Sequence, residues 1–86
     1  MASISIRWER RAVKELRNLG KRTRRRVVDA VEALRADPLR GQRLSGEWKG
    51  LRRLRVGEVR VIYGFDGAEL SIAALRVGKR HEVNRR

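Results

Sequence analysis

Two segments of alternating apolar residues, separated by only two residues, constrain this chain more than any other feature. Residues 51–56 and 59–65 flank Gly57-Glu58. A two-residue loop that opens on glycine fits a type II′ turn, whose first central residue needs a positive φ. Such a turn fixes one register. Val56 then faces Val59, Leu54 faces Val61 and Arg52 faces Tyr63, while on the other side Arg55 faces Arg60 and Arg53 faces Ile62. The first face (Leu54, Val56, Val59, Val61, Tyr63, Phe65) needs a partner surface to bury it. The second gathers Arg53, Arg55 and Arg60 on one side of the sheet. Like charges directly opposite one another destabilise a sheet, and local rules tend to break at functional sites. The Arg55–Arg60 pair makes sense if a polyanion sits between the guanidinium groups. The alternative is that both splay into water at a cost of a few tenths of a kcal/mol.

The rest of the chain supplies the partner surface. Ile4, Ile6 and Trp8 alternate with Ser5 and Arg7, which reads as a short strand with Trp8 continuing a core-facing edge. From residue 9 to residue 19 the period becomes helical through Ala12, Val13, Leu16 and Leu19, with Gly20 as the stop. A second helix is expected over residues 23–36, with Thr23 as N-cap and an apolar face of Val27, Val28, Ala30, Val31 and Leu34. Asp37-Pro38 ends it, because the residue before proline is pushed out of the helical region. Arg22, Arg24, Arg25 and Arg26 load the start of this helix with positive charge, against the helix dipole. Either the face is simply solvated or an anion sits nearby. Residues 39–50 read as a loop, and Asp66-Gly67 as a type I′ turn leading into a third strand over residues 68–77. Leu70 and Ile72 would extend the apolar face of the sheet. The expected fold is α+β: a single domain over residues 1–86, with two N-terminal helices packed on one face of a small antiparallel sheet.

Charge narrows the class of partner. Twenty-three Lys and Arg stand against ten Asp and Glu, a formal net charge of +13. A charge that large repels itself in a compact chain, so an anionic partner is implied: nucleic acid first, an acidic protein second. Arginine outnumbers lysine, and its planar fork matches phosphate oxygens. A GC-rich genome would also favour arginine codons, but it does not explain the net charge. The absence of cysteine excludes disulfides and thiolate metal sites, and His81 as sole histidine excludes a histidine cluster. No cofactor or metal is expected. The first eight residues lack the apolar core of a signal peptide, and no apolar run reaches membrane-spanning length, so a cytoplasmic protein without membrane contact is expected.

The segment from Gly50 to Tyr63, GLRRLRVGEVRVIY, resembles the central hairpin of RelE/ParE-type toxins. So does LRVGKRHEV, from Leu75 to Val83. The upstream order is similar as well: a strand, a helical hairpin, a Pro-ended second helix and then Leu44-Ser45-Gly46. The resemblance implies the toxin of a type II toxin–antitoxin pair, masked by an acidic antitoxin in a hetero-oligomer. In its RelE branch it implies ribosome-dependent cleavage of mRNA, in which the substrate's own 2′-hydroxyl attacks the adjacent phosphate and basic side chains replace a metal. Carried across by position, Arg53, Arg55, Arg60 and Arg80 match the functional basic residues. Where the pattern usually has a tyrosine this chain has Asn84, which has no titratable proton. Cleavage is therefore expected to be slow, or its acid–base step relocated.

Cleaving a phosphodiester needs charge neutralisation, a base for the 2′-hydroxyl and an acid for the leaving oxygen. Arg53, Arg55, Arg60 and Arg80 suit the first task as fixed donors, and arginine hardly loses its proton. His81 is the candidate for proton transfer near neutrality; the alternative is an idle, solvated histidine. Lys49, Arg52, Lys79 and Trp48 are expected to bind RNA, Trp48 by stacking on a base or else by filling the gap between loop and sheet. Two other functions compete: a ParE-like toxin that inhibits DNA gyrase by binding alone, and a non-catalytic basic RNA-binding module.

Overall fold

A computed structural model of the chain describes residues 3–79. Arg80, His81 and Asn84 lie outside the described residues. The chain runs through β1 (Ser5–Trp8), α1 (Arg10–Arg17) and α2 (Lys21–Glu32), which tightens into a 3₁₀ turn (Ala33–Arg35). It continues through β2 (Gln42–Arg43), a second 3₁₀ turn (Gly46–Trp48), β3 (Arg52–Val56), β4 (Val59–Asp66) and β5 (Ser71–Lys79). The strands form one sheet in the order β1-β5-β4-β3-β2.

The β3–β4 hairpin has the register that its turn dictates, including Arg55 opposite Arg60 and Arg53 opposite Ile62. Gly57 has φ +60°, while Glu58 stays out of the positive-φ region, as a type II′ turn requires.

The β4–β5 connection differs from the two-residue turn expected at Asp66-Gly67. Asp66 pairs with Ser71, so four residues intervene, and Leu70, not Gly67, takes the positive φ, at 53°. The Asp66 side chain explains the change. Its Oδ1 accepts from the Ala68 and Glu69 amides at 2.9 and 3.2 Å, closing a side-chain-mimicked turn before a tight backbone one can form. β5 consequently runs over Ser71–Lys79, not residues 68–77, and Leu70 belongs to the turn. Pairing jumps from Ile62–Arg76 to Tyr63–Ala74, which leaves Leu75 unpaired as a bulge. The bulge shifts the alternation by one, so that Ile72, Ala74 and then Val77 all reach the core.

β1 pairs parallel to β5, which makes the sheet mixed, because the two helices form the crossover between the edge strand and the meander. α2 begins at Lys21 with Gly20 as N-cap, and Thr23 lies inside the helix. Gly20 thus follows the short turn after α1 and starts the second helix. The 39–50 loop contains β2 and a 3₁₀ turn.

One core joins the layers. Ala12 of α1, Val27 and Val31 of α2, and Leu34 pack against Leu54, Val59, Val61, Tyr63, Ile72, Ala74 and Val77 of the sheet. Ile4, Ile6 and Trp8 pack against its margin. β1 ends opposite Ala74, which exposes the edge of β5 beyond that point. Glu15 of α1 covers it. Its carboxylate accepts from the Val77 amide at 3.0 Å and from Nη2 and Nε of Arg76 at 3.0 and 3.2 Å. Among the described residues no helix is long and apolar enough to cross a membrane.

Candidate nucleic-acid interface

The far face of the sheet, away from the helices, carries the arginines. Cross-strand partners share a face, so Arg55 and Arg60 stand side by side, with Arg53 two residues along β3. The two members of the pair are in different environments. Arg55 is exposed, whereas Arg60 is only 7% exposed. One guanidinium is thus built into the sheet surface and the other reaches out from it, which departs from the picture of two arginines both splayed into water. Arg53 donates to Oε1 of Gln42, its partner on β2, at 2.8 Å.

A cleft of about 450 Å³ opens beside these residues, lined by Arg40, Gly41, Gln42, Arg53, Leu54 and Arg55. Arg40 is the residue that sequence reasoning missed. It lies in a loop with no periodicity, and only the folding of that loop against β3 brings it to the cleft. The loop is held from below. The Tyr63 hydroxyl accepts from the Gly41 amide at 2.9 Å and donates to the Pro38 carbonyl at 2.8 Å. Arg52 donates to the Leu39 and Gly41 carbonyls at 3.0 and 2.8 Å. Gly41 permits the approach: a Cβ there would lie 2.7 Å from the Tyr63 ring and 3.0 Å from the Arg53 carbonyl. Burial raises the Tyr63 pKa above the ordinary tyrosine value, and the Gly41 amide and Arg52 only partly offset this.

The other residues singled out from sequence fall elsewhere. Lys79 pairs with Val59 and so points to the helix side of the sheet, opposite Arg55 and Arg60. Arg52, opposite Tyr63, is occupied by loop carbonyls. Lys49 shares a second depression of about 280 Å³ with Arg43, Arg52, Leu39, Leu44 and Phe65. Trp48 is half-buried at the end of the 3₁₀ turn before β3. Among the described residues, no group of three His, Cys, Asp or Glu side chains could hold a metal ion. The arrangement sets an exposed guanidinium, Arg55, beside the buried Arg60, a pairing of cations suited to an anion. Arg40, Arg53 and Arg55 line the cleft with guanidinium donors, and Gln42 adds an amide that can both donate and accept.

Comparison with known proteins decides the family. The model of the ParE toxin of the type II toxin–antitoxin system parDE matches residues 6–84. The chain belongs to this family. It is a toxin of the RelE/ParE type, and its fold agrees with solved members. It is 31% identical to a chain of the toxin–antitoxin complex RelBE2 from Mycobacterium tuberculosis, over 92% of this chain and 100% of that one, with a TM-score of 0.83. The archaeal RelE–RelB complex from Pyrococcus horikoshii matches at 26% identity over 94% of this chain and 99% of that one, with a TM-score of 0.79. A chain of the chromosomal ParDE system from P. aeruginosa, 20% identical over 88% of this chain and 95% of that one, shares the fold with a TM-score of 0.69. A search of curated proteins gave no match.

Proposed function

We propose that this RelE/ParE-type toxin is a ribosome-dependent mRNA endoribonuclease that stops translation and is neutralised by an acidic antitoxin. The observation that carries the reading is the placement of Arg55 directly across the strand pair from Arg60, with Arg55 also lining a cleft that it shares with Arg53 and Arg40. A surface that only had to fold would not set two cations directly across a strand pair. In the proposed mechanism the scissile phosphate lies over Arg55 and Arg60, whose donors strengthen as charge builds on the phosphate oxygens. The 2′-hydroxyl of the preceding nucleotide gives its proton to solvent water as its oxygen bonds to the phosphorus. The P–O5′ bond breaks, leaving a 2′,3′-cyclic phosphate on one fragment and a 5′-hydroxyl on the other. By its match to the family's functional positions, Arg80 is assigned a share of the neutralisation, and His81, as the nearby titratable side chain, is assigned the proton to the leaving oxygen. Trp48 and Lys49 hold the flanking RNA, while Arg52 acts through the loop that it secures. The toxins of Mycobacterium and Pyrococcus systems are seen in complexes with antitoxins, which supports an antitoxin partner here. The location is cytoplasmic, where ribosomes are.

A second reading has its own support. The family model that matches is that of a ParE toxin, which favours inhibition of DNA gyrase by binding alone. Two assays on the purified chain separate the readings: mapping of mRNA cuts on programmed ribosomes, and supercoiling by gyrase. Cuts in ribosome-bound mRNA with unaffected supercoiling establish the nuclease. Inhibited supercoiling with intact mRNA establishes the gyrase binder.

A further inference from the structure

The outer face of α2 is charged in the reverse of what a helix prefers. Lys21, Arg22, Arg25 and Arg26 are exposed over its first half, and Asp29 and Glu32 over its second. There is no acidic residue in its first turn and no basic residue in its last. Lys21 and Arg22 in the first turn, and Asp29 and Glu32 in the last, oppose the helix dipole at their own ends. Among the described residues, both acidic groups of this cluster are paired, Asp29 with Arg25 at 3.7 Å and Glu32 with Arg35 at 2.9 Å; both pairs are exposed and add little, and no ion pair there involves Lys21, Arg22 or Arg26. The stems of Lys21, Arg22, Arg24, Arg25 and Arg26, with Val28, enclose an open depression of about 720 Å³. Its floor is hydrocarbon and its rim is cationic.

This surface approaches the arginine pair of the sheet. Arg26 reaches the β3–β4 turn, where a Cβ on Gly57 would lie 3.7 Å from both of its terminal nitrogens. Arg55 and Arg60 sit one residue pair back from that same turn. Arg26 thus lies beside Gly57 on the way from the arginine pair to α2, with the exposed Glu58 as the one acidic residue of the tip.

We infer that α2 is a second RNA-binding surface, which takes the sugar–phosphate backbone of a strand that continues from the sheet cleft round the β3–β4 turn. The surface has no planar aromatic side chain to stack on bases and no mixed donor–acceptor set to read them, so it takes backbone without regard to sequence. The choice of RNA as ligand rests on the reading of the preceding section. Binding at α2 does not require that the cleft cut anything.

The test is binding of a fluorescein-labelled 2′-O-methyl oligoribonucleotide, which lacks the hydroxyl needed for cleavage, across a salt series. The R22Q/R26Q protein removes two cations of the α2 surface. The R11Q/R17Q protein removes two exposed cations from α1, so the net charge changes equally. The slope of log Kd against log salt is expected to fall by about 1.4 in R22Q/R26Q, or about 0.7 per lost phosphate contact on a single strand, and to hold in R11Q/R17Q. The R22Q/R26Q melting temperature is expected not to fall, because both residues are exposed and Arg22 opposes the dipole in the first turn. Equal changes in the two variants, or no change in either, would overturn the inference. So would unchanged RNA binding with weakened binding of the antitoxin, which would assign the face to a protein partner. Ribosomal cleavage by the wild type, measured separately, bears on the proposed function alone. Absent cleavage with the α2 slope change present removes the nuclease and leaves this surface standing.

Discussion

Tyr63 and Gly41 show how single residues hold the cleft in shape. The Tyr63 hydroxyl is both acceptor and donor for the loop that carries Arg40. Replacing it with phenylalanine leaves the Gly41 amide and the Pro38 carbonyl without that partner, and is expected to cost about 1–3 kcal/mol in denaturant melts. Gly41→Ala is expected to cost a similar amount, about 1–3 kcal/mol, because the new methyl meets the Tyr63 ring and the Arg53 backbone. Tyr63 also predicts a pH dependence. Its folded pKa lies above its unfolded value of about 10, so the unfolded chain releases this proton first. The stability it contributes is complete below about pH 10 and is lost as the pH rises through the folded pKa. Tyr63 is the single tyrosine of the chain, so its ultraviolet absorbance reads the titration directly. A midpoint above the free value is expected, and Tyr63→Phe should flatten this part of the alkaline loss. A midpoint at the free value would mean that the hydroxyl is not held as described.

At the scale of elements, the sheet contains one contact that stabilises and one that does not. Glu15 closes the open edge of β5, and Arg76 beside it is buried. Removing the carboxylate takes away both the Arg76 ion pair and the acceptor for the Val77 amide, so Glu15→Ala is expected to destabilise by about 2–4 kcal/mol. Replacing both partners with leucine should recover much of that loss, as thermal melts of the three proteins would show. The Arg55–Arg60 pair has the opposite sign. Arg55→Gln relieves a cross-strand repulsion and is expected to raise stability by a few tenths of a kcal/mol.

These elements were legible in the sequence to different degrees. A glycine-led two-residue turn admits one register, so the β3–β4 hairpin and its arginine face could be read in advance. The β4–β5 turn could not, because Asp66 competes for the turn amides with its own side chain and shifts where pairing resumes. Nor could the start of α2, where a glycine suits the end of one helix and the beginning of the next. Arg40 became visible only in three dimensions, since a loop has no period from which a facing direction follows. Lys79 looked adjacent to the arginines along the chain, yet pairing with Val59 turns it to the other side.

For the whole molecule, a net charge of +13 sets how partners arrive. If the antitoxin is acidic, as proposed, its association is expected to slow by roughly tenfold or more between low and physiological salt. Stopped-flow measurements would show this as a fall in the on-rate, while dissociation changes less. A salt-independent on-rate would mean that the basic faces do not steer the encounter. The nuclease reading is tested most directly by mapping cuts in mRNA on programmed ribosomes, with the wild type and Arg55→Gln compared at equal, verified folding. The account predicts cuts by the wild type and a loss of about 10²–10³ in rate for Arg55→Gln, the scale of removing one donor from developing charge. An equally fast, stable Arg55→Gln protein would contradict the phosphate clamp, and intact mRNA with both proteins would contradict the nuclease itself.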